Sequence, residues 1–156
     1  QSVSGRLQSS RDSAPFLRHE RPSVMPADAS VITLSPDPLD AYAISPGWKA
    51  GGLLFLSGQA AIDEYGAIIG AGDFAAQLEQ TFANIDRVLA AGGSDRSRII
   101  KVTIYLTDMA HFPAIVEARQ RFFTRPWPAD TIVEVRALAL PELMVEIDVI
   151  ALAADA

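Results

Sequence analysis

From about Ser30 onward, apolar and polar residues follow regular periods, and the chain reads as short strands interleaved with two amphipathic helices. Val31, Ile32, Thr33 and Leu34 predict a strand. Ser35-Pro36-Asp37-Pro38 closes it, because two prolines remove the donors a continuing ladder needs. Leu53, Leu54, Phe55 and Leu56 predict a buried strand ending at Ser57-Gly58-Gln59, and Asp63-Glu64-Tyr65-Gly66 reads as a hairpin turn. Next comes a helix with Asp73 as N-cap and Phe74, Leu78, Phe82, Ile85 and Leu89 along one face, stopped by Gly92-Gly93.

Ile100, Val102, Ile104 and Leu106 alternate with Lys101, Thr103, Tyr105 and Thr107, the period of a half-buried strand. A second helix is predicted from Phe112, with Pro113 in its first turn and Phe112, Ile115, Val116 and Phe122 or Phe123 buried. Arg125-Pro126-Trp127-Pro128 ends it, and strands over 131–136 and 143–152 follow. The order β-β-β-α-β-α-β-β predicts an α+β fold, a six-stranded mixed sheet with both helices on one face.

Length then limits the picture to one core: 156 residues and 16.7 kDa fit a single domain. The opening segment lacks a period and is rich in Ser, Gln and Arg. Residues 1–29 are therefore expected to be an N-terminal arm, appended or without fixed structure, with Met25 as an alternative start, and 30–156 the domain. Within residues 1–24 four Arg outweigh Asp12 and Glu20 by two charges, which leaves −8 of the net −6 to the remainder. An acidic surface repels phosphate backbones, so no nucleic-acid partner is expected. No apolar run reaches the ~18 residues of a spanning helix, so no membrane partner is expected, and the location expected is cytoplasmic. Cysteine is absent and His19 and His111 are the only histidines, which excludes thiolate and multi-histidine metal sites.

Few residues suggest chemistry by themselves. Gly70-Ala71-Gly72-Asp73-Phe74-Ala75 has the outline of a dinucleotide fingerprint, but no acid ends the next strand about 20 residues on. A turn entering a helix is the plainer reading. His111, just before a helix, is expected to solvate or cap. The last two strands say more. Asp130, Glu134 and Arg136 share one face of the first, and Glu146 and Asp148 share one face of the second. Val133 and Val135 with Val145, Ile147 and Val149 are expected to lie under the helices. The acidic face is either solvated or part of a polar pocket in which a carboxyl has a raised pKa.

Four segments in order resemble the YjgF/RidA family, some of whose members carry the label endoribonuclease L-PSP. They are Ser45-Pro46-Gly47-Trp48-Lys49-Ala50-Gly51-Gly52-Leu53-Leu54-Phe55-Leu56-Ser57-Gly58-Gln59; Lys101-Val102-Thr103-Ile104-Tyr105-Leu106-Thr107-Asp108-Met109; Pro128-Ala129 with Val133-Glu134-Val135; and Val145-Glu146-Ile147-Asp148-Val149-Ile150-Ala151. The resemblance covers about Ser45 to Leu152. It implies a chorismate-mutase-like/RidA-like fold, a homotrimer built as a trimeric barrel, and ligand pockets between subunits. It also implies hydrolysis of reactive enamines and imines without metal or cofactor. In deaminating members an Arg after the Pro-Ala pair clamps the substrate carboxylate, a Glu on the last strand positions water, and a Tyr covers the pocket.

Carried onto this chain, the water-positioning Glu is Glu146, and the Ser-Gly pair that presents backbone groups to the ligand is Ser57-Gly58. The Arg is replaced by Asp130, the Tyr by Ile44, and an Asn early in the second helix by Val116. Glu146 and Asp130 are thus the candidate catalytic residues, and Ser57, Gly58, Ile44, Val116 and Ile132 the candidate ligand contacts. A bidentate Arg–carboxylate contact is worth ~1.5–3 kcal/mol, so placing Asp at that position predicts poor handling of anionic 2-imino acids. A neutral or cationic ligand suits Asp130 beside Glu146; efficient handling of 2-imino acids would instead point to Arg125 or Arg136 as a displaced carboxylate clamp. Three functions follow: a hydrolase using Glu146, a non-catalytic ligand-binding trimer, and an interaction protein. A ribonuclease fits the acidic charge poorly.

Overall fold

The computed structural model describes residues 28–154, so the expected N-terminal arm lies outside the described residues apart from its last two positions. The elements are β1 (Ala29–Ile32), β2 (Gly47–Ala50), β3 (Leu53–Ala60), α1 (Phe74–Ala91), β4 (Ile99–Leu106), α2 (Phe112–Phe122), β5 (Ala129–Glu134) and β6 (Val145–Leu152). They form one six-stranded sheet in the order β1-β2-β3-β6-β4-β5. All pairs are antiparallel except β4 and β5, which α2 connects as a parallel crossover. The predicted element order and mixed sheet are those observed.

The core lies between one sheet face and both helices. Leu54, Leu56, Val102, Ile104, Leu106, Val145, Ile147 and Val149 point to it, and α1 contributes Phe74, Leu78, Phe82, Ile85, Val88 and Leu89. Ile115 and Ala118 of α2 complete it. Asp73 caps α1 by accepting from the Ala76 N–H at 3.1 Å. Phe82 stacks on Phe122 with ring centroids 3.8 Å apart, which ties the two helices together.

Several local expectations are corrected. The first strand is Ala29–Ile32 instead of 31–34, with Leu34 packed against the core from the loop. The first tight hairpin is β2–β3, turning on Gly51 (φ 56) and Gly52 (φ 77). Positive φ at both positions is what a two-residue turn matching strand twist requires. Asp63-Glu64-Tyr65-Gly66 closes only one bridge, Ile62 to Ile68. In β4 a register shift after Ile99 buries Ile99 and leaves Ile100 42% exposed. On α2, Phe112 and Val116 are exposed and not buried. The apolar arc of that helix is wider than its core contact, and this surplus lines a cavity instead.

The largest correction concerns β5. Its partner is β4, which separates it from β6, so the two acidic strands are not neighbours. In parallel register Asp130, Ile132 and Glu134 stand beside Val102, Ile104 and Leu106, all buried on the helix side. Val133 therefore lies on the open face and is 38% exposed. Period two grouped these residues correctly, but the count of valines favoured the wrong side.

Candidate functional site

Glu146 sits near the start of β6 on the open sheet face, between Ala60 of β3 and Tyr105 of β4. Burial pushes its carboxyl above the ordinary glutamate range, and the negative charge of Asp148 on the same face adds to this. Asp148 is fixed by the Tyr105 hydroxyl, which donates to Oδ2 at 3.2 Å. Burial and then Asp148 raise the Tyr105 pKa, so the phenol stays protonated and continues to donate. Within one chain the charge repulsion on Glu146 thus comes from Asp148.

The seat of Glu146 is a defect in β3. The β3–β6 register passes from Leu56/Val149 to Gln59/Ile147, so Ser57 and Gly58 together face Asp148 in a bulge. A β-carbon on Gly58 would meet Glu146 Oε1. Ser57 is engaged within the chain. Its hydroxyl donates to the Ser45 carbonyl at 2.6 Å, its N–H to the Pro46 carbonyl at 3.0 Å, and its carbonyl accepts from Gln59 Nε2. Ser57 therefore holds the loop that carries Ile44, and Gly58 is the member of the pair that opens beside Glu146.

Two amides on α1 secure both walls. Gln77 is fully buried; its Nε2 donates to the carbonyls of Gly70 and Glu142, and its Oε1 accepts from the Met144 N–H at 2.8 Å. This fixes the turn that leads into Glu146. It also gives the glycine-rich segment before α1 a structural task, because the Gly70 carbonyl is taken by Asp73 N–H and by Gln77. Asn84 donates to the carbonyls of Ala60 and Ile62 and so fixes the end of β3 opposite Glu146. Sequence reasoning passed over both residues, although polar positions 77, 81 and 84 inside an apolar stripe were the available signal.

Glu146 and Gly58 open onto a cavity of about 140 Å³ whose apolar lining includes Leu34, Leu39, Tyr42, Ile44 and Leu143. Ile44, placed where the resemblance puts a Tyr, is joined there by Tyr42 from the short 3-10 turn Asp40–Tyr42. An aromatic hydroxyl is therefore present at the cavity, two residues earlier than the aligned position.

The other predicted site residues gather elsewhere. Asp130, Val116 and Ile132 line a separate cavity of about 440 Å³ with Phe112, Arg119 and Arg125. Asp130 and Glu146 lie on opposite faces of the sheet, so within one chain they do not share a cleft. Arg119 of α2 grips Asp130 in bidentate fashion, Nε at 2.8 Å and Nη2 at 2.6 Å. Both side chains are mostly covered, at 25% and 21% exposure. The cation that answers Asp130 is thus Arg119, neither Arg125 nor Arg136. Arg125 lines the same cavity with its guanidinium over the Trp127 ring. His111 makes no capping hydrogen bond and stacks on Phe74 at 3.9 Å. Among the described residues no group of three His, Asp or Glu converges as a metal site, and no helix is long and apolar enough to cross a membrane.

A six-stranded mixed sheet, two helices on one face and a glutamate seated against a glycine bulge define a RidA-like domain. Residues 33–153 match the family model described as Endoribonuclease L-PSP, and the chain belongs to this family, the YjgF/RidA group. It is 38% identical over 117 residues to Protein DfrA of Myxococcus xanthus, covering 75% of this chain and 88% of that one. It is 31% identical over 105 residues to a 2-iminobutanoate/2-iminopropanoate deaminase of Dermatophagoides farinae, covering 67% and 80%. A crystal structure of YyfA from Yersinia pestis, of the Rid family, superposes with a TM-score of 0.74 at 31% identity over 80% of this chain and 98% of that one.

Proposed function

We propose that this chain hydrolyses a small imine- or enamine-type metabolite in pockets completed between copies of a homotrimer. One copy supplies Ile44, Gly58 and Glu146, and a second supplies Val116, Asp130 and Ile132. The observation that carries the reading is Glu146, half-buried against Gly58 at the mouth of an apolar cavity with its carboxyl raised above the ordinary range. As carboxylate it takes a proton from the water that attacks the C=N carbon; as acid it returns a proton to the departing nitrogen. A raised pKa suits a group that must serve in both forms.

The trimer is supported by the open sheet face, which carries exposed apolar Phe55, Val133 and Leu152 around Glu146 and Asp148. The relative named a 2-iminobutanoate/2-iminopropanoate deaminase supports the reaction class. Position 130 argues against that relative's substrates here: Asp130 presents no cation, and its partner Arg119 is already bound to it. The endoribonuclease label of the family fits this chain less well, given its net charge of −6.

The test is competition with semicarbazide for an imine released in situ by an amine oxidase. Wild type should suppress semicarbazone formation, and Glu146→Gln should lose the effect by roughly 100-fold or more. Ligand binding without any suppression would instead support the non-catalytic trimer.

A further inference from the structure

The cavity beside Glu146 is closed to most polar recognition. Its amide nitrogens are engaged within the chain: Gln59 Nε2 on the Ser57 carbonyl, and Asn84 Nδ2 on those of Ala60 and Ile62. Its one guanidinium, Arg87, turns to the carbonyl of Pro36 and so ties down the loop over 35–46. What remains for a ligand is mainly apolar wall, with the Tyr42 hydroxyl at the roof and the Glu146 carboxyl at the mouth. The roof is built by Tyr42 and Ile44, which are 49% and 46% exposed and are held by a loop that Arg87 and Ser57 anchor at either end. Exposed apolar side chains over an apolar hollow leave unsatisfied surface that a ligand of matching shape would cover.

We infer that this cavity is the subsite for the substrate's apolar side chain, so that the substrate is an imine bearing a branched aliphatic or aryl group, with Tyr42 setting the size limit. The inference rests on the hydrolase reading for its chemistry and on the cavity for its selectivity. The step is R–CH=NH + H₂O → R–CHO + NH₃. The water oxygen bonds to the imine carbon as one proton passes through Glu146 to nitrogen, giving the carbinolamine. Its hydroxyl proton then follows by way of Glu146, the C–N bond breaks, and ammonia leaves as the C=O forms. No oxidant or reductant takes part. With R lodged among Leu34, Leu39 and Leu143, the C=N group lies at the mouth beside Glu146 and Gly58.

The experiment compares 3-methylbutan-1-imine with ethanimine, each generated from its amine by an amine oxidase and each read as suppression of semicarbazone formation. Three extra buried carbons predict a preference of roughly 60-fold in kcat/KM for the larger imine. Tyr42→Ala should reduce that preference below about tenfold by unroofing the cavity. Ala139→Trp, at an exposed lining position, should reduce it from the opposite side by filling the space. A flat profile, or a preference for ethanimine, overturns the subsite. Acceleration of neither imine sinks the hydrolase reading instead. The subsite is then judged by thermal shift: protection by 3-methylbutanamide over acetamide, lost in Tyr42→Ala, upholds it, and equal protection overturns it.

Discussion

Gly58 and Glu146 occupy adjoining space so closely that a β-carbon on Gly58 would collide with Glu146 Oε1 and stand 2.9 Å from its carboxyl carbon. The bulge in β3 brings the glycine to this spot, and the absence of a side chain lets the carboxyl rest there. Gly58→Ala should therefore act on chemistry more than on folding. The Glu146 carboxyl is the end of a flexible chain and can swing aside, at a stability cost of about 1 kcal/mol. Its displacement by an ångström should reduce kcat/KM by about 100-fold. Thermal melts beside imine kinetics separate the two effects.

The raised pKa of Glu146 makes a prediction about stability against pH. The folded chain holds the proton to higher pH than the unfolded chain does, so stability falls as pH rises from the ordinary glutamate range to the raised value. Above that window the buried charge is a liability that Glu146→Gln removes. The variant should melt above wild type at pH 7 to 8, and the difference should vanish once acidification has protonated Glu146 in both states. A Gln variant less stable than wild type at every pH would contradict the burial argument.

Charge reversal at the second cavity tests why 2-imino acids should be poor substrates. Asp130→Arg by itself would set two guanidinium groups against each other, because Arg119 now holds Asp130 with two hydrogen bonds. Arg119→Gln with Asp130→Arg moves the cation to the strand and leaves it without a carboxylate partner. It should raise hydrolysis of 2-iminobutanoate by about tenfold or more over a weak wild type. Asp130→Asn should cost about 1 kcal/mol of stability, as expected for a partly covered bidentate pair.

Gln77→Ala should be the most damaging change outside the carboxyl itself. It strips partners from the part-buried Met144 N–H and the Glu142 carbonyl and leaves a hole where the buried amide stood, a loss of about 3 kcal/mol. Chemical denaturation measures the cost. Activity of the surviving folded fraction should also fall, since the turn into Glu146 loses its anchor.

The strands and helices were legible because each buries one regular face, and the alternation along β6 or the apolar stripe of α1 leaves little choice. Glu146 and Gly58 were legible for a different reason, as parts of a recognisable motif. The facing of β5 was not. An edge strand with Ile132 on one side and Val133 and Val135 on the other carries too weak a contrast, and only its pairing with β4 decides which side is covered. Nor could the sequence couple Arg119 to Asp130, eleven residues apart across a helix end and a proline-rich turn. Tyr42 escaped because a loop residue has no period to betray its direction. Gln77 was visible, as a polar break in an apolar stripe, but its partners lie 65 and 67 residues away.

The two half-sites, Glu146 on one sheet face and Asp130 on the other, make subunit complementation the most direct test of a pocket shared between copies. Glu146→Gln disables one half, and Val116→Trp fills the other. Each variant by itself should be nearly inactive in the semicarbazide assay. Unfolded together and refolded as random trimers, they should recover about a quarter of wild-type activity, the share of interfaces that join two intact halves. A mixture no more active than its parents, or a fully active Val116→Trp protein, would contradict the account.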